Sequence, residues 1–436
     1  MKFAFFTLGC KVNQYETQAM EQLLRQWGHS LGDFEERCDC YIVNTCTVTA
    51  VGDKKSRNMV RRARKRNPAA VIGVCGCYAQ VSPGEVEQLD VDVIGGSGNR
   101  EQFLHDMERA AREKIRLRSV DEARRRYQFE ILPPGGLPER TRAMLKVEDG
   151  CDNFCAYCII PYARGPVRSL PVEDAVRQAG TLAGAGYLEL VVTGIEISSW
   201  GRDLPGEPTL TDLLEAVCRA APAMRVRLGS LEPRTVTEDF CRRLSGMENL
   251  CPQFHLSLQS GSDAVLRRMC RRYDTARYRE SVRRLRAYFP GCAVTTDLIV
   301  AFPGETEEEF RESLDFIQDC GLAAVHVFPY SRRTGTPAAK LPDQHGNAVK
   351  EQRSREAVAV AEALSETYRR GMIGTEQEVL FEQQDGEYST GHAPNSVLVY
   401  LPGPPLHNVL RRVRITGLHR DGAAAEAVPE AGPAPD

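Results

Sequence analysis

No uninterrupted apolar run in this sequence approaches the roughly 18 residues that a membrane-crossing helix needs, so no membrane partner is expected. Strong charge of either sign is also missing, since 56 Lys and Arg against 59 Asp and Glu leave a formal net charge of −3. Overall charge therefore does not announce a nucleic-acid binder, and any such footprint has to be local. The opening MKFAFFTLGC holds too short an apolar run for a secretion signal before it reaches Lys11, Asn13 and Gln14, and it reads as a buried strand. Cysteine is plentiful but unpaired in pattern. Its 15 residues, an odd number scattered over a chain of 436, argue against a secreted disulfide framework, and a reducing cytoplasm is the expected setting. That length suggests about two to four domains.

What is present is concentrated in Cys151-Asp152-Asn153-Phe154-Cys155-Ala156-Tyr157-Cys158. Three cysteines at this spacing can hold a cubic iron–sulfur cluster with one iron left without a protein ligand. That iron is an open position for a substrate or cofactor. The competing readings are a zinc knuckle or a chance group of buried thiols. Zinc would want a second cysteine pair nearby, and none follows Cys158 until Cys218.

Upstream, short apolar strands at 2–8, 41–43, 71–74 and 91–94 alternate with helical stretches, which predicts a parallel α/β domain. Functional residues gather at the carboxyl ends of such strands. Cys10, Cys46 and Cys77 stand at three of those ends, either as a second three-thiolate site or simply as buried cysteines. The stretch 53–66 holds eight Lys or Arg against one Asp, a solvated helix face or a phosphate contact. Gly95-Gly96-Ser97-Gly98 lacks the GxGxxG order, so a dinucleotide fold gains little support.

Further along, a linker is expected at 116–140, where Pro133-Pro134-Gly135-Gly136 breaks the pattern. After a strand at 142–147, apolar strands at 188–192, 226–228, 254–258, 294–300 and 324–328 alternate with helices. Six β/α units without a seventh or eighth predict a partial (β/α)6 barrel, with polar tags at the strand ends where barrel chemistry sits. From Glu376 the style changes to short strands punctuated by Gly and Pro, a small β-barrel bearing the basic residues Arg411, Arg412, Arg414, His419 and Arg420. The last stretch, 421–436, has little apolar bulk and is expected to be disordered.

These pieces carry a family resemblance. The 151–158 pattern resembles the radical S-adenosylmethionine (SAM) enzymes, in which the open iron binds SAM. Leu8-Gly9-Cys10-Lys11-Val12-Asn13-Gln14, Asn44-Thr45-Cys46 and Gly76-Cys77-Tyr78-Ala79-Gln80 resemble the N-terminal domain of the methylthiotransferases, as do Pro161-Tyr162-Ala163-Arg164-Gly165 and Gly335-Thr336-Pro337-Ala338 elsewhere. The resemblance implies two 4Fe-4S clusters, one on Cys151, Cys155 and Cys158 and an auxiliary one on Cys10, Cys46 and Cys77, all six being catalytic. Cys75, two residues before Cys77, has no place in the family pattern. The resemblance further implies a SAM pocket lined by Gly194, Glu196, Ser230, Glu232 and Gln259, with Glu196 standing where the family's nearest branch has His. It implies reductive cleavage of SAM, sulfur insertion at an unactivated C–H and methyl transfer from a second SAM.

The implied architecture is an N-terminal methylthiotransferase domain at 1–115, a radical SAM core at 141–370 and a TRAM-like RNA-binding barrel at 371–420. The implied partners are a tRNA anticodon stem-loop, an external electron donor and a sulfur source. Within the family the sequence looks most like the branch acting on N6-threonylcarbamoyladenosine. The alternatives are N6-isopentenyladenosine in tRNA and an aspartate of a ribosomal protein.

Overall fold

The structure, a computed structural model, describes residues 1–134 and 141–429. At the N-terminus six parallel strands stand in the order Ser30–Gly32, Lys2–Thr7, Cys40–Thr45, Val71–Gly76, Val93–Gly95, Leu117–Ser119. The chain therefore steps outward from Lys2–Thr7 in one direction and then turns back in the other, which makes the gap between Lys2–Thr7 and Cys40–Thr45 a topological switch point. Helices Lys11–Gln26 and Arg100–Glu113 cover one face through Tyr15, Met20, Leu24, Phe103 and Met107. Helix Ala50–Arg66 covers the other through Met59, Val60 and Ala63. Both faces are thus buried, which is why the strands read as continuous apolar runs.

The linker expected at 116–140 is corrected over most of its length. Leu117–Ser119 is the sixth strand of the sheet, and Ala123 and Leu132 are each 3% exposed. The Tyr15 hydroxyl also donates to the Leu132 carbonyl at 3.2 Å. Arg124 and Arg125 face outward, while Ala123 and Leu132 anchor the segment to the core. Residues 135–140 lie outside the described residues.

The central domain has six parallel strands in sequence order: Arg142–Lys146, Glu189–Thr193, a third interrupted at Gly229 (Arg225–Leu228 and Ser230–Leu231), Gln253–Leu256, Ala293–Val300 and Ala324–Pro329. Outer helices bury Leu182, Leu214, Phe240, Leu285 and Ile317 against them in one core. This is the six-unit open barrel. A 25-residue helix, Asn347–Gly371, packs along the last strand and leads into the C-terminal domain.

That domain is a closed barrel of five strands, Glu376–Asp385, Tyr388–His392, Leu398–Pro402, Gly422–Ala427 and Val409–His419. The tail expected to be disordered from 421 is corrected here, because Gly422–Ala427 closes the barrel between two neighbours. Ala423 and Ala425 are 0% and 4% exposed. Their lack of bulk suits the inside of a narrow barrel rather than marking disorder. Residues 430–436 lie outside the described residues.

The β-barrel docks beneath the amino ends of the first three central strands through buried charge. Glu189, fully buried, accepts from Arg225 Nη2 at 2.6 Å and Arg227 Nε at 2.7 Å, while Arg227 Nη1 reaches the Pro394 carbonyl at 2.8 Å. Glu382 pairs with Arg142 and accepts from Thr141 Oγ1 at 2.7 Å. Among the described residues no helix is long and apolar enough to cross a membrane.

Candidate active site

The 151–158 loop leaves the first central strand through a turn that only glycine can make. Gly150 has φ +91°, and a Cβ there would stand 1.9 Å from the Pro166 carbonyl oxygen. Backbone bonds pin the loop to the rest of the core: Cys151 N to Gly165 O at 3.0 Å, Ala156 N to Met269 O at 2.9 Å, and Ala338 N to Ala156 O at 2.8 Å. Arg271 Nη1 lies 3.0 Å from Cys155 Sγ. Burial and then the neighbouring Cys155 push the Cys158 thiol up to about 12, and burial likewise raises Cys151.

The second triad is assembled across the sheet. Cys10 caps the helix after the first strand, Cys46 follows Cys40–Thr45, and Cys77 opens the short helix after Val71–Gly76. Two glycines bring these loops into contact. A Cβ on Gly9 would sit 2.8 Å from Cys46 Cβ, and one on Gly76 would sit 2.4 Å from the Thr45 carbonyl oxygen. Cys46 is pushed up to about 12 by burial, with Cys77 and Cys10 adding to the shift. The thiol of Cys77 is raised by burial and by Cys10, and lowered by Arg164. Cys77 is also among the charges raising Cys158. Cys75 is fully buried in the core cluster that holds Phe103.

The donor chemistry of both triads suits iron–sulfur coordination. All the cysteines are free, and the buried thiols of Cys77, Cys151 and Cys155 gain from deprotonation onto a cation. Among the described residues no three His, Cys, Asp or Glu side chains close on one point as a single metal ion needs.

Beneath both triads lies an ionic network that the sequence did not announce. Glu16 binds Arg100 Nη2 at 2.5 Å, Lys146 Nζ at 3.0 Å and Arg164. Asp149 binds Lys146 Nζ at 2.8 Å and Arg168 Nη2 at 3.2 Å. All six side chains are buried. Four cations meet two carboxylates, so a positive surplus is built in below the cysteines. Arg164 carries it to the sulfur, with Nε 3.2 Å from Cys77 Sγ and Nη2 2.6 Å from Asn13 Oδ1. The only sequence signals were a lysine inside an apolar strand and a glutamate on a buried helix face. The contact of Arg271 with Cys155 was equally silent.

A cavity of about 1010 Å³ opens from the auxiliary triad into the central barrel. Gly9, Cys10, Lys11 and Gln14 line one side, Thr193, Gly194, Ser230, His255 and Asp297 the barrel wall, and Asn395–Leu398 the far end. Of the expected SAM-pocket residues, Gly194 and Ser230 line this cavity. Glu196 and Glu232 sit by the cluster loop instead: Asn153 Nδ2 donates to Glu196 Oε2 at 2.6 Å, and Arg234 Nε donates to Glu232 Oε1 at 2.8 Å. Burial and then Glu232 raise the Glu196 carboxyl. Gln259, buried at φ +70°, joins the fourth strand to the fifth through its backbone and is not among the cavity's lining residues. His255 lines the wall with Nδ1 3.1 Å from Thr295 Oγ1 and Nε2 3.4 Å from Asp297 Oδ2, a satisfied pocket histidine.

Residues 145–317 match the Radical SAM superfamily, and residues 2–96 match the uncharacterized protein family UPF0004. The threonylcarbamoyladenosine tRNA methylthiotransferase MtaB of Bacillus subtilis is 42% identical over 84% of this chain and 81% of its own length. The protein of that name from Chlamydia pneumoniae is 34% identical over 98% of both chains. The chain belongs to the tRNA methylthiotransferase family of radical SAM proteins. A second branch of the family is also similar. The tRNA-2-methylthio-N(6)-dimethylallyladenosine synthase of Carboxydothermus hydrogenoformans is 31% identical over 95% of this chain and 96% of its own length. Among solved structures, the radical SAM methyltransferase TsrM of Kitasatospora setae matches with a TM-score of 0.58 at 16% identity, covering 83% of this chain and 89% of that one, a likeness of fold. For this methylthiotransferase, then, Cys10 of the strand-end triad lines the large cavity, while Cys155 of the loop triad lines a separate small one beside Asn153 and Glu232.

Proposed function

We propose that this chain methylthiolates C2 of N6-threonylcarbamoyladenosine beside the anticodon of tRNA. The observation that carries the reading is its identity, up to 42%, with relatives named for that nucleoside, over most of both chains. In this reading Cys151, Cys155 and Cys158 hold one 4Fe-4S cluster, and Cys10, Cys46 and Cys77 hold the auxiliary one. When bound, the clusters and SAM supply the electron, the radical, the sulfur and the methyl group.

The chain's own residues bind, orient and shield. Gly194 and Ser230 leave room at the strand ends for SAM, while Glu196 and Glu232 stand on the side of the cluster loop and Gln259 ties the fourth strand to the fifth. The surplus cations of the network offset the negative charge that six thiolates bring. Arg164 keeps Cys77 oriented. Walls from three domains exclude water from the reacting centre.

The anticodon stem-loop reaches the cavity across basic surface. Lys54 and Lys55 are exposed beside the Cys46 loop, and that loop is clamped by Arg333, whose Nη2 donates to Thr47 Oγ1 at 2.6 Å and lies 2.7 Å from Asp53 Oδ2. Arg412, exposed on the C-terminal barrel, offers a second phosphate contact. The electron donor and the sulfur source are external, and the work is done in the cytoplasm. Nucleoside mass spectrometry on total tRNA, from cells with and without the gene, tests the reading. Loss of 2-methylthio-N6-threonylcarbamoyladenosine with accumulation of its precursor is expected. Loss of the isopentenyladenosine product instead would move the chain to the other branch.

A further inference from the structure

We infer that Lys11 selects the substrate by its charge, its ammonium binding the carboxylate of the threonylcarbamoyl substituent inside the cavity. This rests on the reaction proposed above. Lys11 begins the helix Lys11–Gln26, one residue after Cys10, and lines the cavity. Its side chain is exposed and lines the cavity. Among the described residues its ammonium makes no hydrogen bond or ion pair within bonding distance.

The carboxylates around it are already engaged. Glu189 is held by Arg225 Nη2 at 2.6 Å and Arg227 Nε at 2.7 Å, with Arg142 Nε 3.7 Å away. Asp297 faces His255 Nε2 at 3.4 Å, and Asp421 accepts from the Tyr400 hydroxyl at 2.7 Å. A cation left without its own anion in a walled cavity is a place for an incoming anion.

The cavity, at about 1010 Å³, is large enough for a modified nucleoside. Because Lys11 and Cys10 share one turn, a base gripped by its carboxylate is gripped beside the auxiliary triad. An N6-dimethylallyl group carries no charge and would leave the ammonium unpaired. The same residue would therefore favour one of the family's two substrate classes and disfavour the other.

The test measures binding of the full-length, cluster-reconstituted protein to stem-loop RNAs by fluorescence anisotropy. One RNA carries N6-threonylcarbamoyladenosine, and the other carries the same base with its carboxylate converted to a carboxamide. The native protein should bind the acid about 10- to 100-fold more tightly, the worth of one charge-assisted hydrogen bond. Lys11→Met should erase that preference and Lys11→Arg should keep it, with iron content confirming that the Cys10 site persists. Equal affinity of the native protein for acid and amide, or an undiminished preference in Lys11→Met, would overturn the assignment. Should Lys11→Met fail to hold iron, the acid–amide comparison on the native protein decides. Product formation by the native enzyme on the acid substrate separates the two levels: product without a carboxylate preference sinks the role of Lys11 alone, and no product sinks the reaction beneath it.

Discussion

The two cysteine triads are made in opposite ways. Cys151, Cys155 and Cys158 lie within eight residues on one loop, whose shape follows from Gly150 and a few backbone bonds. Cys10, Cys46 and Cys77 come from the ends of three parallel strands and meet only because Lys2–Thr7, Cys40–Thr45 and Val71–Gly76 are neighbours in the sheet. The first is a local device that any core able to hold the loop could carry. The second is a property of topology, placed where the strand order reverses. A local site fails when its own loop is edited, whereas an assembled site also fails when something distant shifts its strands.

The largest expected effect separates the triads by chemistry. Cys158→Ala should abolish SAM cleavage as well as product. Cys77→Ala should leave reductive SAM cleavage in place while no methylthiolated nucleoside forms. Each variant should lose about half of the bound iron, one of two clusters. Loss of all iron from Cys77→Ala would break the comparison, because the triads would then stand or fall together.

Next is Arg164, which touches Cys77 on one side and Glu16 and Asp149 on the other. Arg164→Met removes a partner from a buried ionic network and should cost about 3–5 kcal/mol in urea unfolding. Iron should be lost from the auxiliary triad before the loop triad. Equal loss from both would show that the network supports the two sites as one body.

The smallest effect lies away from both triads and serves as their control. Burial pushes Glu189 up, but the hydrogen bond from Arg227 and the charges of Arg227, Arg225 and Arg142 outweigh it and hold the carboxyl at about 2. Glu382 is held at about 2 as well, by His392 and Arg142 against its own burial. A carboxyl depressed by folding contributes stability that is present above its unfolded value and lost as the pH falls through the folded one. For Glu189 that is on the order of 3 kcal/mol, lost between about pH 4.5 and 2. Acid titration followed by limited proteolysis should therefore show the C-terminal barrel loosening from the core in that window. A Glu189→Gln variant should lose its share of the transition and keep that of Glu382.

The resolution of these regions in the sequence followed the same divide. The loop triad was readable from spacing alone, and the strand-end cysteines were readable as candidates because each follows an apolar run. Leu117–Ser119 was hidden by the arginines around it, and Gly422–Ala427 by its small side chains, although each occupies a place in a sheet. The partition of the expected SAM residues, Gly194 and Ser230 on the cavity and Glu196 and Glu232 by the cluster loop, was not visible in strand-end tags. Such tags mark an end of a barrel but not which way a side chain turns.

The sequence by itself determined the elements and the local chemistry: the period of each strand and helix, the 151–158 loop, and thiols placed at strand ends. These depend on residues close in the chain, where bond geometry leaves few choices. Tertiary structure alone decided that the loops bearing Cys10, Cys46 and Cys77 lie side by side, that Glu16 and Asp149 gather four cations, and that Lys11 lines the barrel's cavity. Those outcomes depend on which strands lie side by side and which charges are buried together, and burial is set by the packing of segments far apart in the chain.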